Sequence, residues 1–289
     1  MEATGGRWRM ALAMGLSGTI GLFVVWSGQS PQTVVFYRCL IGGAVLLGWL
    51  AWRGGWKPMS ARAVGWTVLG AFALLANWLC LFSAYRLSSI SIATVVYQMQ
   101  PFILIVLAAL FQRELPAWHK LPWLALAFIG VGLAAGLDLR GEHGQLGGGV
   151  LLALAAAFWY ALFTLATRKL GAYVPAQVAG LQLAMGVLAL APLANLSVMD
   201  MPAKAGWNLL TLGLVHTGLV YNLMYGAFQR LRADAIAALS FIYPLVAILA
   251  DLVFFDTQLT PLQMLGMGAI LVSVLATQRG PVHAVIPAA

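Results

Sequence analysis

Long apolar runs, separated by short polar or charged breaks, dominate the chain from end to end. A crossing of lipid needs about 20 mostly apolar residues, each rising 1.5 Å. Ten runs meet that reading, at 9–27, 33–52, 63–84, 89–111, 119–137, 146–166, 175–194, 208–229, 235–255 and 261–277. They are unbroken, without the period-two alternation of a lipid-facing strand, so helices are expected and not a barrel. Helix starts are marked as well. Ser30-Pro31 places a capping hydroxyl before a proline at the first helical position, and Thr260-Pro261-Leu262-Gln263 forms a capping box. The first run follows Arg7 and Arg9 as a signal peptide would. It is too long for an h-region and lacks a small-x-small cleavage site, so it reads as an uncleaved first helix.

Composition narrows the class. Only 8% of the 289 residues are charged and 62% are apolar, against about 25% charged in a soluble domain. That excludes a soluble enzyme, a disordered chain and a disulfide scaffold; the lipid bilayer is the main partner. Charge then sets orientation. With the N-terminus inside, twelve of the sixteen basic residues fall on the inner side, three (Arg86, Arg140 and Lys204) fall outside, and Arg38 lies within a span. This satisfies the positive-inside rule, with both termini expected on the cytoplasmic side. The net charge of +8 is thus a topology signal and not a nucleic-acid footprint. Cys39 and Cys80 read as small packed hydrophobes.

The chain also repeats. Pro31 and Pro175, Gly42 and Gly186, and Arg86-Leu87 and Arg230-Leu231 all stand 144 residues apart; Pro101 and Pro244 stand 143 apart. Each half holds five spans, and an odd number turns the second half over, as in many secondary transporters. The domain reading is 1–140 for the first five-helix repeat, 141–278 for the inverted second, and 279–289 for a cytoplasmic tail. The expected fold is all-α integral membrane, ten transmembrane helices in two inverted five-helix repeats.

In this order the motifs carry a resemblance. Phe36-Tyr37-Arg38, Tyr85-Arg86-Leu87, the run from Ser91 to Pro101, the terminal Glu114, and Gly130, Gly132, Gly266 and Gly268 resemble the drug/metabolite transporter superfamily, of the ten-helix EamA type. Within it the chain looks most like the YddG-type aromatic amino acid exporters. Asp256 stands where the second half of the pattern has Glu. The resemblance implies export of small amphipathic metabolites, aromatic amino acids first, by alternating access. Other amino acids, drugs and nucleotide sugars are substrates elsewhere in the superfamily.

Candidate chemistry clusters in the paired spans. Pro101 and Pro244 fall near the middle of spans four and nine. Each removes a donor and frees the carbonyl four residues earlier, at Tyr97 and Ser240, so both are expected hinges. Thr94, Tyr97, Gln98 and Pro101 share one helical face; Ser240, Tyr243, Pro244, Ala247 and Asp251 make a comparable one. Asn77-Trp78 corresponds to Tyr221-Asn222, with Thr217, Tyr221 and Tyr225 on one face, and Trp159, Tyr160 and Thr164 add an aromatic-polar patch on span six. The expected substrate-binding set is Asn77, Trp78, Thr94, Tyr97, Gln98, Trp159, Tyr160, Tyr221, Asn222, Ser240 and Tyr243. Rings can stack on a ring or attract an ammonium; the same residues can equally serve as interhelical glue.

Arg38, Asp251 and His216 are the charged or imidazole groups within spans. Arg38 and Asp251 are read as a charge or steering pair, with a substrate carboxylate or a structural ion pair as Arg38's partner. His216 reads as a packed residue. No acid stands at the midplane, which favours facilitated transport or exchange over proton coupling. Enzyme chemistry is not expected. Gly15-Leu16-Ser17-Gly18 fits G-x-S-G of intramembrane proteases, but a glycine packing strip explains it as well. There is no P-loop and no metal motif, so no cofactor or metal is expected. A channel lacks a filter signature. A monomer acting on a small-molecule substrate is the resulting picture.

Overall fold

The computed structural model describes residues 2–112, 121–134, 144–197, 201–228, 239–240 and 242–278. Among them every regular element is helical. In chain order these are α1 (Glu2–Gly18), α2 (Ile20–Trp26), α3 (Pro31–Arg53), α4 (Ala61–Leu87), α5 (Ile90–Tyr97), α6 (Gln100–Gln112), α7 (Leu121–Ala134), α8 (Gly144–Arg168) and α9 (Pro175–Leu190). Then come α10 (Ala203–Gly213), a π-helical segment (Leu214–Leu219), α11 (Val220–Phe228), α12 (Ile242–Phe255) and α13 (Pro261–Gln278). Four stretches, Gly5–Trp26, Pro31–Arg53, Ala61–Leu87 and Leu146–Arg168, are long and apolar enough to cross a membrane. Five shorter apolar helices accompany them. Glu114, Arg230-Leu231 and the tail 279–289 lie outside the described residues.

The predicted caps form. Ser30 Oγ accepts from Thr33 N at 3.3 Å, with Pro31 in the first turn. Thr260 Oγ1 accepts from Gln263 N at 3.2 Å while Thr260 N donates to Gln263 Oε1 at 2.9 Å. Each satisfies amide donors that the first helical turn leaves open.

Three expected spans are not continuous α-helices. The first breaks at Thr19, between α1 and α2. Thr19 N and Oγ1 both donate to Leu16 O, at 3.1 and 2.8 Å. The fourth breaks at Gln98–Met99, between α5 and α6, where the amides drop to a three-residue pattern: Gln98 N to Val95 O and Met99 N to Val96 O, both at 3.0 Å. Pro101 has no N–H to return to Tyr97 O, so the break falls where the proline dictates. The eighth is interrupted by the π segment, where Thr217 Oγ1 donates to Leu212 O at 3.1 Å.

Packing joins the first half to the second. α4 lies along α8, α7 along α13, α3 along α9, and α1 against α11. Small residues make the close approaches. A Cβ on Gly186 would meet Cys39 Sγ at 2.6 Å, one on Gly43 would meet Leu183 Cβ at 3.3 Å, and one on Gly180 would meet Leu47 Cδ2 at 2.5 Å. As the α3 number rises the α9 number falls, so these two helices run antiparallel. At the α7–α13 crossing, a Cβ on Gly266 would sit 2.6 Å from Gly130 O, and one on Gly130 2.7 Å from Gly266 O. Leu22, Val34, Phe82, Val95 and Ile270 belong to one apolar core that joins both halves.

The two ends of the bundle are tied differently. At one, Lys57 N donates to Gln177 Oε1 and Gln177 Nε2 to Lys57 O, at 3.0 and 2.7 Å. At the other, Asp251 Oδ2 accepts from Ser91 N at 2.8 Å, and Trp26 packs edge-on to Phe254 with centroids 5.3 Å apart.

Candidate functional site

A cavity of about 530 Å³ lies between the two halves. It runs from Arg38 and Tyr85, towards the Asp251 end, to Arg168, exposed at the Lys57 end. Its walls come from α1, α2, α3, α4, α5, α6, α8, α11 and α12, together with the breaks in spans four and eight. Asn77, Trp78, Tyr97, Gln98, Tyr160, Tyr221, Ser240 and Tyr243 line it, as the sequence leads one to expect, and Arg38 joins them.

Arg38 is the central charge. It is only 4% exposed. Its Nε donates to Thr217 Oγ1 at 2.9 Å, and Nη2 reaches His216 O at 3.4 Å. The guanidinium lies 4.1 Å above the centre of the Trp78 ring, with Phe82 at 5.8 Å. The local sequence makes this possible. Gly42, one turn beyond Arg38, has no side chain to hold off the π segment: a Cβ there would meet Thr217 Cγ2 at 2.5 Å. The extra residue in the π turn then presents both His216 O and Thr217 Oγ1 to one guanidinium.

The expected pairing of Arg38 with Asp251 does not form. Asp251, 2% exposed, accepts from Ser91 N at 2.8 Å and from Thr257 Oγ1 at 3.0 Å. It caps the start of α5, where the open amides favour a carboxylate. Arg38 therefore has only neutral oxygen and aromatic partners among the described residues. Burying a cation this way is costly unless an anion joins it.

Three further expectations are corrected. Thr94 is fully buried and does not line the cavity. Trp159 packs edge-on against Phe72, which is 58% exposed, so it belongs to the outer surface of α8. Asn222 is exposed on α11, one residue from the cavity-lining Tyr221. Ser17, whose G-x-S-G setting reads as glycine packing and not as a protease motif, lines the cavity and donates to Ala13 O at 2.8 Å within its own helix. His216 bonds Thr19 Oγ1 through Nε2 at 2.9 Å and approaches Thr211 O through Nδ1 at 3.3 Å, so it ties span one to span eight. Pro101 and Pro244 stand behind the cavity wall and not in it.

Sequence reasoning missed Phe82, Phe163, Thr167 and Arg168 as wall residues. The signal for the first was available: Leu74, Trp78, Leu81 and Tyr85 form a helical face at i, i+4, i+7 and i+11, and Phe82 lies on its edge. The π segment had no such signal.

Apolar helices enclosing a basic, tyrosine-rich cavity define a membrane protein built to pass a polar solute. The chain belongs to the EamA-like transporter family, which it matches twice, over residues 5–136 and 147–278. It is 30% identical over 275 residues to the uncharacterized transporter YxxF of Bacillus subtilis, covering 93% of this chain and 88% of that protein. It is 31% identical over 168 residues to the threonine/homoserine exporter RhtA of Escherichia coli, covering 56% of this chain and 55% of RhtA. A solved crystal structure aligns over 95% of this chain and 98% of its own, with a TM-score of 0.63 and 19% identity, which speaks to the fold alone. The protein is therefore a transporter and not an enzyme.

Proposed function

We propose that the protein exports neutral amino acids across the bacterial inner membrane by alternating access, with the substrate carboxylate docked on Arg38. The observation that carries this is the buried guanidinium itself, facing the cavity without an acidic partner among the described residues. A carboxylate there replaces the missing counter-charge through charge-assisted hydrogen bonds. The relation to RhtA supports threonine and homoserine. The walls formed by Trp78, Phe82, Tyr97 and Tyr160 support aromatic amino acids, the narrower likeness to YddG-type exporters. Both are neutral zwitterions and both fit the volume.

The frame is ten spans in two inverted repeats, 1–140 and 141–278, with the tail 279–289 and both termini cytoplasmic. Two facts support inversion. The family pattern occurs twice, 142 residues apart. Spans two and seven, equivalent under that offset, pack antiparallel. The packing pairs agree: exchanging the halves turns span three on six into span eight on one, and leaves two on seven and five on ten unchanged. With the N-terminus inside, the cavity mouth at Arg168 faces the cytoplasm. The Asp251–Ser91 contact and the Trp26 packing then close the outer side. Pro101 and Pro244 act as hinges, and the chain works as a monomer without a cofactor, driven by the substrate gradient or by exchange.

The test is flux of threonine, homoserine, leucine, phenylalanine and tryptophan in proteoliposomes. Saturation with trans-stimulation by at least one supports the carrier. Stepwise ionic conductance, or no saturable flux for any of the five, rejects it.

A further inference from the structure

Besides the Arg38 charge, three neutral oxygens of cavity-lining residues have no partner among the described residues, Asn77 Oδ1, Gln100 Oε1 and Thr167 Oγ1, and Asn77 is the one next to Trp78 in sequence. Asn77 is fully buried and lines the same cavity as Arg38. Its Nδ2 donates to Ala156 O at 2.8 Å and to Tyr97 OH at 3.2 Å. A backbone carbonyl only accepts, so the amide nitrogen belongs on the Ala156 side and the oxygen is the open end. Asn77 Oδ1 receives no hydrogen bond from the described residues. An acceptor buried without a donor is destabilising and is a natural place for a ligand donor. The next residue, Trp78, carries the Arg38 guanidinium over its ring at 4.1 Å. The site thus offers one cation and, on the adjoining residue, one neutral acceptor.

Among the described residues no carboxylate lines the cavity to complement an ammonium. Asp251 is the acid read within a span, and both of its oxygens are engaged, by Ser91 N and Thr257 Oγ1. The ionisable wall residues described are Arg38, Arg168, His216 and the tyrosines. A neutral amide oxygen accepts from an O–H as readily as from an N–H, whereas a carboxylate strongly prefers a charged donor.

We propose that the site recognises a carboxylate together with any hydrogen-bond donor on the neighbouring carbon, the carboxylate on Arg38 and the donor on Asn77 Oδ1, with no requirement that the donor be charged. This rests on reading the cavity as the transport site, and it widens the substrate class to 2-hydroxy acids. A 2-oxo acid keeps the carboxylate and lacks the donor. A decarboxylated amine keeps the donor and lacks the carboxylate. Both are poor ligands.

The experiment titrates the purified full-length protein with leucine and phenylalanine and with the 2-hydroxy acid, 2-oxo acid and amine matching each, reading Kd from the thermal shift. Amino and hydroxy acids should agree within about threefold; oxo acids and amines should bind at least about tenfold more weakly, the cost of one hydrogen bond or more. In Asn77→Leu, hydroxy and oxo acids should become equal. Oxo acids matching hydroxy acids on the unmodified protein, amines binding as well as amino acids, or no shift with any compound overturns the proposal, and none of these outcomes depends on the variant folding. Counterflow of labelled phenylalanine and leucine on the same preparation separates the two readings. The expected ligand ranking without flux sinks the transport reading alone. Flux with oxo acids equal to hydroxy acids sinks this inference alone.

Discussion

Arg38 illustrates how a single buried charge can define a site. Its partners are a hydroxyl, a carbonyl and two ring faces, which position the group without neutralising it. Replacing it with Gln keeps some hydrogen bonding and removes the charge. We expect Arg38→Gln to weaken substrate binding by about ten- to a hundredfold, the loss of one charge-assisted hydrogen bond or a pair of them. Lys should recover only part of this, because an ammonium cannot offer the planar fork. Kd from thermal shift reads both. Asp251 behaves oppositely: its charge is spent on Ser91 N and Thr257. Asp251→Asn should leave substrate Kd within about threefold while loosening the closed end, since the capping carboxylate contributes up to about 2 kcal/mol in a partly buried setting. Labelling of a cysteine introduced at Ser91 by a membrane-impermeant thiol reagent, in the Asp251→Asn background and without it, checks this. Sequence alone identified both residues as important and paired them wrongly, because an ion pair and a helix cap are indistinguishable until the chain is folded.

At the scale of elements, the breaks matter more than the helices. The discontinuity at Gln98–Met99 was legible, since Pro101 must forfeit its bond to Tyr97 O. The break at Thr19 and the π segment at Leu214–Leu219 were not. No proline marks them, and hydropathy is blind to a local change of helical pitch. Yet all three face the cavity, through Ile20, Gln98 and His216, as π turns at functional sites often do. Pro101→Ala should restore the missing donor and straighten α5 into α6. The expected result is transport reduced at least about tenfold with normal membrane insertion, read as initial rate against protein incorporated. The α7–α13 crossing makes a separate demand. Gly266→Val would drive a side chain into Gly130 O and Ala134 N, and overpacking of this kind costs about 1–3 kcal/mol. A lowered Tm, with substrate Kd unchanged in the fraction that remains folded, is the outcome to look for.

The whole molecule follows from a small number of global facts. Its apolar composition demanded lipid. The twofold family match, 142 residues apart, falls within two residues of the internal offset first visible in the prolines and glycines. Part of the cavity wall was legible in the same way: polar and aromatic residues on a membrane helix gather on the face that avoids lipid. Trp159 and Asn222 show where that logic ends. Both neighbour a true wall residue in sequence, and a step of 100° around the helix carries each to the outside. The central claim is that this cavity is a carrier site organised by Arg38, and counterflow tests it most directly. Liposomes preloaded with unlabelled substrate should accumulate the labelled amino acid transiently above equilibrium, saturably, and Arg38→Gln incorporated at the same density should abolish the overshoot. An overshoot undiminished in Arg38→Gln, or wild-type uptake indifferent to preloading, would contradict the account.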